Sequence, residues 1–369
     1  MMKILILNPI LFTATDGVLP KVKTIKDTMI YGMCLGFKKL GHDVTLIAMD
    51  DYRPTCKETY DFPVIFMKSV GTRILSYALP LSFELWRWLK KHNSEYDLVI
   101  SSETFSFHSL FASLSCPDKT IIWQELTAHQ RKMHEIPSKI WHNTIARLFM
   151  RQVRAVVPRS EKAYHFIHKY MPQTVKTVVD HGINIDKFLY SEEKKRQIIS
   201  SSQLIYRKNV DGIIRIFHRF HQLEGYKDVR LLIAGRGEEE PKLKELVHEL
   251  GLDDVVDFLG FLPQAALNSY IRYSMAFLVN TRQDLNMVSI PESIVSGTPI
   301  LTNRQPSSAG YIAKEHLGIV KDEWDENDIK KIIDNNAEYV KRCISYRDNL
   351  TSTHSAQALI NVYENTVSK

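Results

Sequence analysis

A chain of 369 residues exceeds what one ordinary hydrophobic core organises and suits two domains of about 150–200 residues each. At 44% hydrophobic and 24% charged, the composition excludes collagen-like and disordered classes. A net charge of +6 suits an anionic partner such as a nucleotide, a lipid pyrophosphate or an anionic membrane face, but it is too dispersed for nucleic acid and no aromatic-basic motif accompanies it.

The opening Lys3–Leu7 run, broken by Asn8 and Pro9, reads as a first buried strand rather than a secretory leader. A loop carrying Thr15-Asp16-Gly17 and a helix over Ile30–Leu40 follow. Further strands are expected at Val44–Ala48, Val64–Met67, Leu98–Ser101, Thr120–Trp123 and Arg154–Val157, then a helix starting at Ser160 with Glu161 in its first turn. The second half repeats the alternation. Strands are expected at Ile198–Ser201, Val229–Ala234, Val255–Leu259, Met275–Asn280 and Pro299–Thr302. Between them lie helices at Val210–Leu223, Lys242–Leu250 (closed by Gly251), Gln264–Tyr273 and Pro291–Val295. The last helix, about Thr353–Thr366, has one apolar face, and the sequence alone leaves open which half it packs on.

This alternation predicts an α/β fold of two doubly wound parallel sheets, each Rossmann-like, with ligands at a cleft between their carboxyl edges. That licenses a site, not a chemistry. The four cysteines, Cys34, Cys56, Cys116 and Cys343, are widely spaced, which argues against a disulfide framework or a zinc site and for the reducing cytoplasm. No stretch approaches the roughly 18–20 apolar residues of a membrane span.

Three segments then carry a resemblance. They are Leu231-Leu232-Ile233-Ala234-Gly235-Arg236-Gly237, Val255–Leu262, and Asp284-Leu285-Asn286-Met287-Val288-Ser289-Ile290-Pro291-Glu292 followed by Ser296-Gly297-Thr298-Pro299. In this order and separation the chain resembles the family 4 glycosyltransferases, two-Rossmann-domain enzymes of the GT-B architecture. The third segment looks like the family's acidic-x7-Glu donor motif. Gly41-His42-Asp43-Val44, Ser160-Glu161 and His181-Gly182-Ile183-Asn184 support it in the first half and at the domain junction. The resemblance implies a first domain of residues 1–180 with 347–369 and a donor domain of 181–346.

It also implies roles. Glu292 would anchor the donor ribose; as a residue type it is equally a first-turn helix acid with Pro291 at N1. Asp284 stands where the family has Glu and would lie at the donor sugar. Asn286, Met287 and Val288 replace a glycine-rich stretch, so the backbone approaches the sugar without glycine's freedom. Lys208 matches the family's diphosphate lysine, whereas Gln203 replaces an Arg and can donate but not neutralise charge. Arg207 is a candidate to supply the missing charge. The Gly235-Arg236-Gly237 turn and the Pro291 helix would offer N–H groups to anions, and the base would pack near Leu262.

On the acceptor side the implied residues are Thr15, Asp16, Gly17, Gln124, Glu125 and His129, the last of which is as readily a structural loop histidine. Basic-apolar faces on the helices around Leu85–Lys91 and Arg147–Arg154 suit an anionic membrane as well as ordinary half-burial. The expected protein is therefore a metal-independent, cofactor-free, retaining transferase. It would move a sugar from a UDP- or GDP-linked nucleotide sugar to a saccharide or lipid-linked acceptor in polysaccharide or glycolipid assembly, peripheral at most to the membrane's inner face. A sugar-nucleotide epimerase of the same architecture and a catalytically weak nucleotide-sugar-binding protein remain alternatives. An NAD-dependent oxidoreductase is disfavoured, because no G-x-G-x-x-G follows the first strand.

Overall fold

The apolar runs form strands buried on both faces, as parallel sheets require. The computed structural model describes residues 1–12, 19, 21–71, 79–129, 135–283 and 287–366. It divides into two compact units, Met1–Asn184 with Thr351–Lys369, and Ile185–Leu350.

The first unit holds β1 (Lys3–Leu7), β2 (Asp43–Met49), β3 (Val64–Met67), β4 (Leu98–Ser102), β5 (Thr120–Gln124) and β6 (Ala155–Pro158). They pair in the order β3-β2-β1-β4-β5-β6, parallel throughout. Its helices are α1 (Met29–Lys39), α2 (Phe83–His92), α3 (Phe107–Ser115), α4 (Glu135–Trp141) and α5 (Glu161–Ile167). Helix α4 runs on through a π-helical turn at His142–Ala146 to Arg147–Phe149, where the helical path ends. Residues up to Arg154 therefore form a turn, not the helix expected there. Serine caps set several starts: Ser82, Ser106 and Ser160 each accept from a first-turn backbone N–H.

The second unit repeats the plan with β7 (Gln197–Ser201), β8 (Arg230–Ala234), β9 (Val256–Gly260), β10 (Ala276–Leu278), β11 (Ile300–Thr302) and β12 (Gly318–Val320), ordered β12-β11-β10-β7-β8-β9. Its helices are α6 (Val210–His221), α7 (Glu240–Glu249), α8 (Gln264–Ile271), α9 (Ser289–Val295), α10 (Ala309–Lys314), α11 (Glu326–Asp334) and α12 (Asn336–Tyr346). Alternate strand residues serve opposite faces. Ile198, Leu231 and Ile233 pack with Phe217 of α6 and Ile329 of α11, while Ile199, Leu232 and Phe277 pack with Ile290 and Ile294 of α9. Each such side chain contributes about 1.5–3 kcal/mol by leaving water.

Two expectations change here. Helix α9 begins at Ser289, so Pro291 is its third residue and not its first. It is tolerated because first-turn N–H groups have no intrahelical acceptor to lose. Strand β12 is only three half-buried residues long, too short to leave a periodic signal.

The last helix, α13 (Ser352–Asn365), packs on α1 in the first unit. Its entry is tight: Ser352 N donates to the Ile183 carbonyl at 3.0 Å, and Thr351 caps the helix through His354 N. A Cβ on Gly182 would overlap the backbone of Thr351 and Ser352, so this crossing needs glycine. Far along the helix, Arg154 Nε donates to the Tyr363 carbonyl at 2.8 Å and the Tyr363 hydroxyl to Asp97 O at 2.6 Å.

Candidate functional site

In both sheets the strand order reverses between two central strands, β1/β4 and β7/β10, and ligands of doubly wound sheets bind at the carboxyl edge there. The loops at that edge hold the candidate residues.

In the second unit, the segment after β7 packs directly on the turn after β8. Leu204 N donates to Arg236 O at 3.0 Å and Ser202 N to Ala234 O at 3.1 Å. A Cβ on Gly235 would overlap the Ser202 carbonyl, and one on Gly237 the Leu204 carbonyl. These glycines thus allow two loops to meet. Gly235 N already donates to Gly260 O at 2.8 Å, which corrects the expectation that this amide is open to an anion. Arg236 is exposed, its guanidinium beside Gly260, and Leu262 is half-buried.

The turn bearing Arg207 and Lys208 is braced against the end of β10. Arg207 O accepts from Thr281 Oγ1 at 3.0 Å and Arg282 N at 2.8 Å, and Arg207 Nη1 donates to Gln283 O at 3.3 Å. Arg282 stacks over Tyr206 at 4.1 Å and pairs with Asp211 at 3.1 Å. Lys208 is half-buried and Gln203 exposed. The start of α9 lies beside β7, with Ser289 Oγ 3.5 Å from Ser201 O.

Glu292 is only 7% exposed. Its carboxylate accepts from Gln264 Nε2 at 2.8 Å, and burial pushes its pKa up to about 7, with the Gln264 bond acting in the opposite direction. A carboxyl held this way retains acceptor capacity for further donors. Met287 turns into the core and Val288 is exposed. Asp284 and Asn286 lie outside the described residues, as do Thr15, Asp16 and Gly17.

The first unit has a cavity of about 360 Å³ at its carboxyl edge, lined among others by Asn8, Glu103, Trp123, Glu125, Arg159 and His181. Glu103 follows β4 with a φ of 65°. It accepts from Glu125 N at 2.7 Å, from Leu126 N at 3.3 Å and from Gln124 Nε2 at 2.8 Å. Burial pushes the Glu103 carboxyl up to about 8. The charge of Glu125 adds to this, while the Glu125 and Leu126 amides and the Arg159 guanidinium oppose it. Gln124 itself is fully buried, and its Oε1 accepts from Thr104 N and Oγ1, so it braces Glu103.

Arg159 Nη1 donates to Glu125 at 2.6 Å, and its guanidinium stacks over Trp123 at 4.6 Å. Nδ1 of His181 lies 2.7 Å from Arg159 Nη2 and 2.9 Å from Asp180 Oδ1. Burial alone would raise Asp180, but the charge and hydrogen bonds of His181, with Arg159, hold it below the usual carboxylate range. His129 is engaged at both ring nitrogens, by Ser138 at 2.9 Å and Tyr170 at 3.0 Å, and is not among the cavity-lining residues.

Sequence reading missed Glu103, Arg159, His181 and Gln264 as site-edge residues. For Glu103 and Arg159 a signal existed: each directly follows a strand's last residues, at the edge where ligands bind. Gln264 had none, since only folding brings it to Glu292.

Two Rossmann-like units with these sheet orders match the GT-B architecture. Glycosyltransferase Family 4 matches residues 27–187 and Glycosyl transferases group 1 matches residues 183–347. The chain belongs to this family of glycosyltransferases. It is 24% identical over 190 residues to an alpha-monoglucosyldiacylglycerol synthase of Streptococcus pneumoniae, a match covering 47% of this chain and 43% of the relative. It is 19% identical to an uncharacterized glycosyltransferase of Haemophilus influenzae over 80% of each chain. The chain thus spans less than half of the pneumococcal relative it matches. Among solved structures, a glycosyltransferase from Rickettsia africae superposes with a TM-score of 0.71 at 13% identity, covering 99% and 98% of the two chains. Anabaena Alr3699/HepE in complex with UDP gives 0.69 at 13% identity, covering 98% and 100%.

Proposed function

We propose that this glycosyltransferase takes its sugar from a nucleotide-diphosphate donor bound at the carboxyl edge of the second sheet, and passes it to a saccharide or lipid-linked acceptor with retention and without a metal ion. The observation that carries this reading is the Glu292 carboxyl, buried at the start of α9 and fixed by Gln264 with acceptor capacity left over. Two ribose hydroxyls are suitable donors to it. Lys208, on a turn braced from β10, would balance the leaving diphosphate, with Arg207 and Gln203 beside it. Asp284 and Asn286 would meet the donor sugar, and Leu262 the base.

The solved relative in complex with UDP supports a uridine nucleotide. The pneumococcal glucosyldiacylglycerol synthase supports a lipid acceptor. Among the described residues no helix is long and apolar enough to cross a membrane. On α4 and its continuation, Ile136, Ile140, Leu148 and Phe149 are exposed next to Lys139, Arg147 and Arg151, a surface suited to anionic lipid. The tryptophans of α2 are turned inward instead: Trp86 stacks on Phe111 at 5.4 Å.

A thermal-shift screen of uridine and guanosine diphosphates and their sugar conjugates tests the donor reading, which fails when none stabilises the wild-type protein. Turnover that requires an acceptor separates the transferase from an epimerase or a non-catalytic binder.

A further inference from the structure

Lys208 lies on a turn too short to hold its own shape. The helical turn Tyr206–Lys208 is three residues long, and Asn209 after it has a φ of 54°, a left-handed conformation open to few residues besides glycine. Tyr206 is 68% exposed, so burial does little to fix the turn.

One side chain grips this turn from both sides. The Arg282 guanidinium donates through Nη1 to the Tyr206 carbonyl and lies over the Tyr206 ring at 4.1 Å. Through Nη2 it reaches both carboxylate oxygens of Asp211, at 3.2 and 3.1 Å. Tyr206 stands before Lys208 in the chain and Asp211 after it, near the start of α6. A planar guanidinium can make these contacts together, whereas the compact ammonium of a lysine cannot stack and fork at once.

The grip starts from a fixed base. Arg282 follows β10, whose exit is tied down by two buried side chains: Trp324 Nε1 donates to the Val279 carbonyl at 3.1 Å and Asn303 Nδ2 to the Thr281 carbonyl at 2.7 Å. Stability of the fold does not account for the arrangement. The Arg282 and Asp211 side chains are 31% and 42% exposed, and exposed ion pairs and cation–π contacts contribute little to it.

We propose that Arg282 is a positioning residue, clamping the turn between Tyr206 and Asp211 so that Lys208 is held in place for the donor diphosphate. This rests on the nucleotide-diphosphate reading of the second sheet's edge and assigns a residue to the preorganisation of that site.

Calorimetric titration of uridine diphosphate and uridine into the full chain tests it, with the guanosine counterparts run alongside. Arg282→Ala should weaken diphosphate binding about fivefold or more and nucleoside binding less than about twofold. In a Lys208→Ala background the same substitution should weaken diphosphate binding less than about twofold, since the clamp acts through that lysine. The amides of Lys208 and Asn209, which donate to Ile205 O at 2.9 Å and Tyr206 O at 3.2 Å, should exchange hydrogen about tenfold faster in nucleotide-free Arg282→Ala. Should Arg282→Ala fail to fold, Asp211→Asn opens the same clamp from its other side and gives the same reading. Arg219→Ala, which breaks an exposed pair with Glu326 at the far end of α6, should change none of these.

Diphosphate affinity that Arg282→Ala leaves intact would overturn the proposal while the donor reading stands. So would equal losses for the nucleoside and its diphosphate, an equal loss with and without Lys208, unchanged amide exchange, or the same losses from Arg219→Ala. A wild-type protein that binds no nucleotide removes the donor reading and the clamp's role in it together.

Discussion

The carboxyl edges of the two sheets share one strand order and differ in almost everything else. At the first, side chains dominate: Glu125, Arg159, Asp180 and His181 form an ion-paired network, with Glu103 hydrogen-bonded to the Glu125 amide, around a cavity with apolar walls on one side. At the second, backbone dominates: glycine turns let the loops after β7, β8 and β9 pack together, and Glu292 is the one carboxyl found buried among the candidates described there. Identical topology supplies two places to bind something; what each binds is set by the few residues following each strand.

The comparison breaks first at Glu292. Glu292→Ala should lower kcat/KM by a hundredfold or more, because it removes two charge-assisted hydrogen bonds of about 1.5–3 kcal/mol each. Nucleotide-induced thermal stabilisation should vanish with it. Retained stabilisation would move the ribose anchor elsewhere. Lys208→Ala comes next, with a ten- to hundredfold loss in kcat/KM from one such interaction and a weaker response to diphosphates than to nucleosides. Equal weakening for nucleosides would show that Lys208 does not face the diphosphate.

Titration separates the two edges more finely. Both carboxyls have folded-state pKa values above the unfolded value of 4.5, at about 7 for Glu292 and about 8 for Glu103. The folded protein therefore binds more protons than the unfolded chain over those intervals. Each unit's stability should be greatest below 4.5 as far as these groups decide it, and should fall as pH rises towards 7 in the second unit and 8 in the first. Glu292→Gln should flatten only the second slope in chemical denaturation followed by hydrogen exchange. Nucleotide affinity should run the other way, rising through about pH 7 as the carboxylate forms and can accept two hydroxyls. A pH-independent affinity would contradict that.

A mainly structural effect is expected at Gly182→Ala. Overlap with Thr351 and Ser352 should destabilise the first unit by about 1–3 kcal/mol, with α13 exchanging amide hydrogens faster and nucleotide binding preserved. Least of all, Ile140→Asp with Leu148→Asp should reduce co-sedimentation with phosphatidylglycerol vesicles severalfold while leaving turnover of a soluble acceptor unchanged. Unaltered co-sedimentation would clear α4 of a membrane role.

Strands of the central sheets were legible because a parallel strand buried on both faces must be an unbroken apolar run, as at Leu98–Ile100 and Leu231–Ile233. Short edge elements were not, since β12 has only three residues and no alternation to read. Helix α9 was placed two residues late because Pro291 looks like an N1 residue, although any first-turn position suits it.

By itself the sequence determined the two-unit α/β plan and the family, and it nominated the Asp284–Glu292 segment as the donor candidate, because strand periodicity and motif spacing are local properties of the chain. Only the tertiary structure decided that Gly235 has its amide occupied, that Gln264 holds Glu292, and that α13 packs on α1. It also brought Glu103, Arg159 and His181 to one cavity from positions far apart in the sequence. Partners so distant along the chain leave no shared pattern in it; they meet because parallel strands deliver their carboxyl ends to the same edge of a sheet.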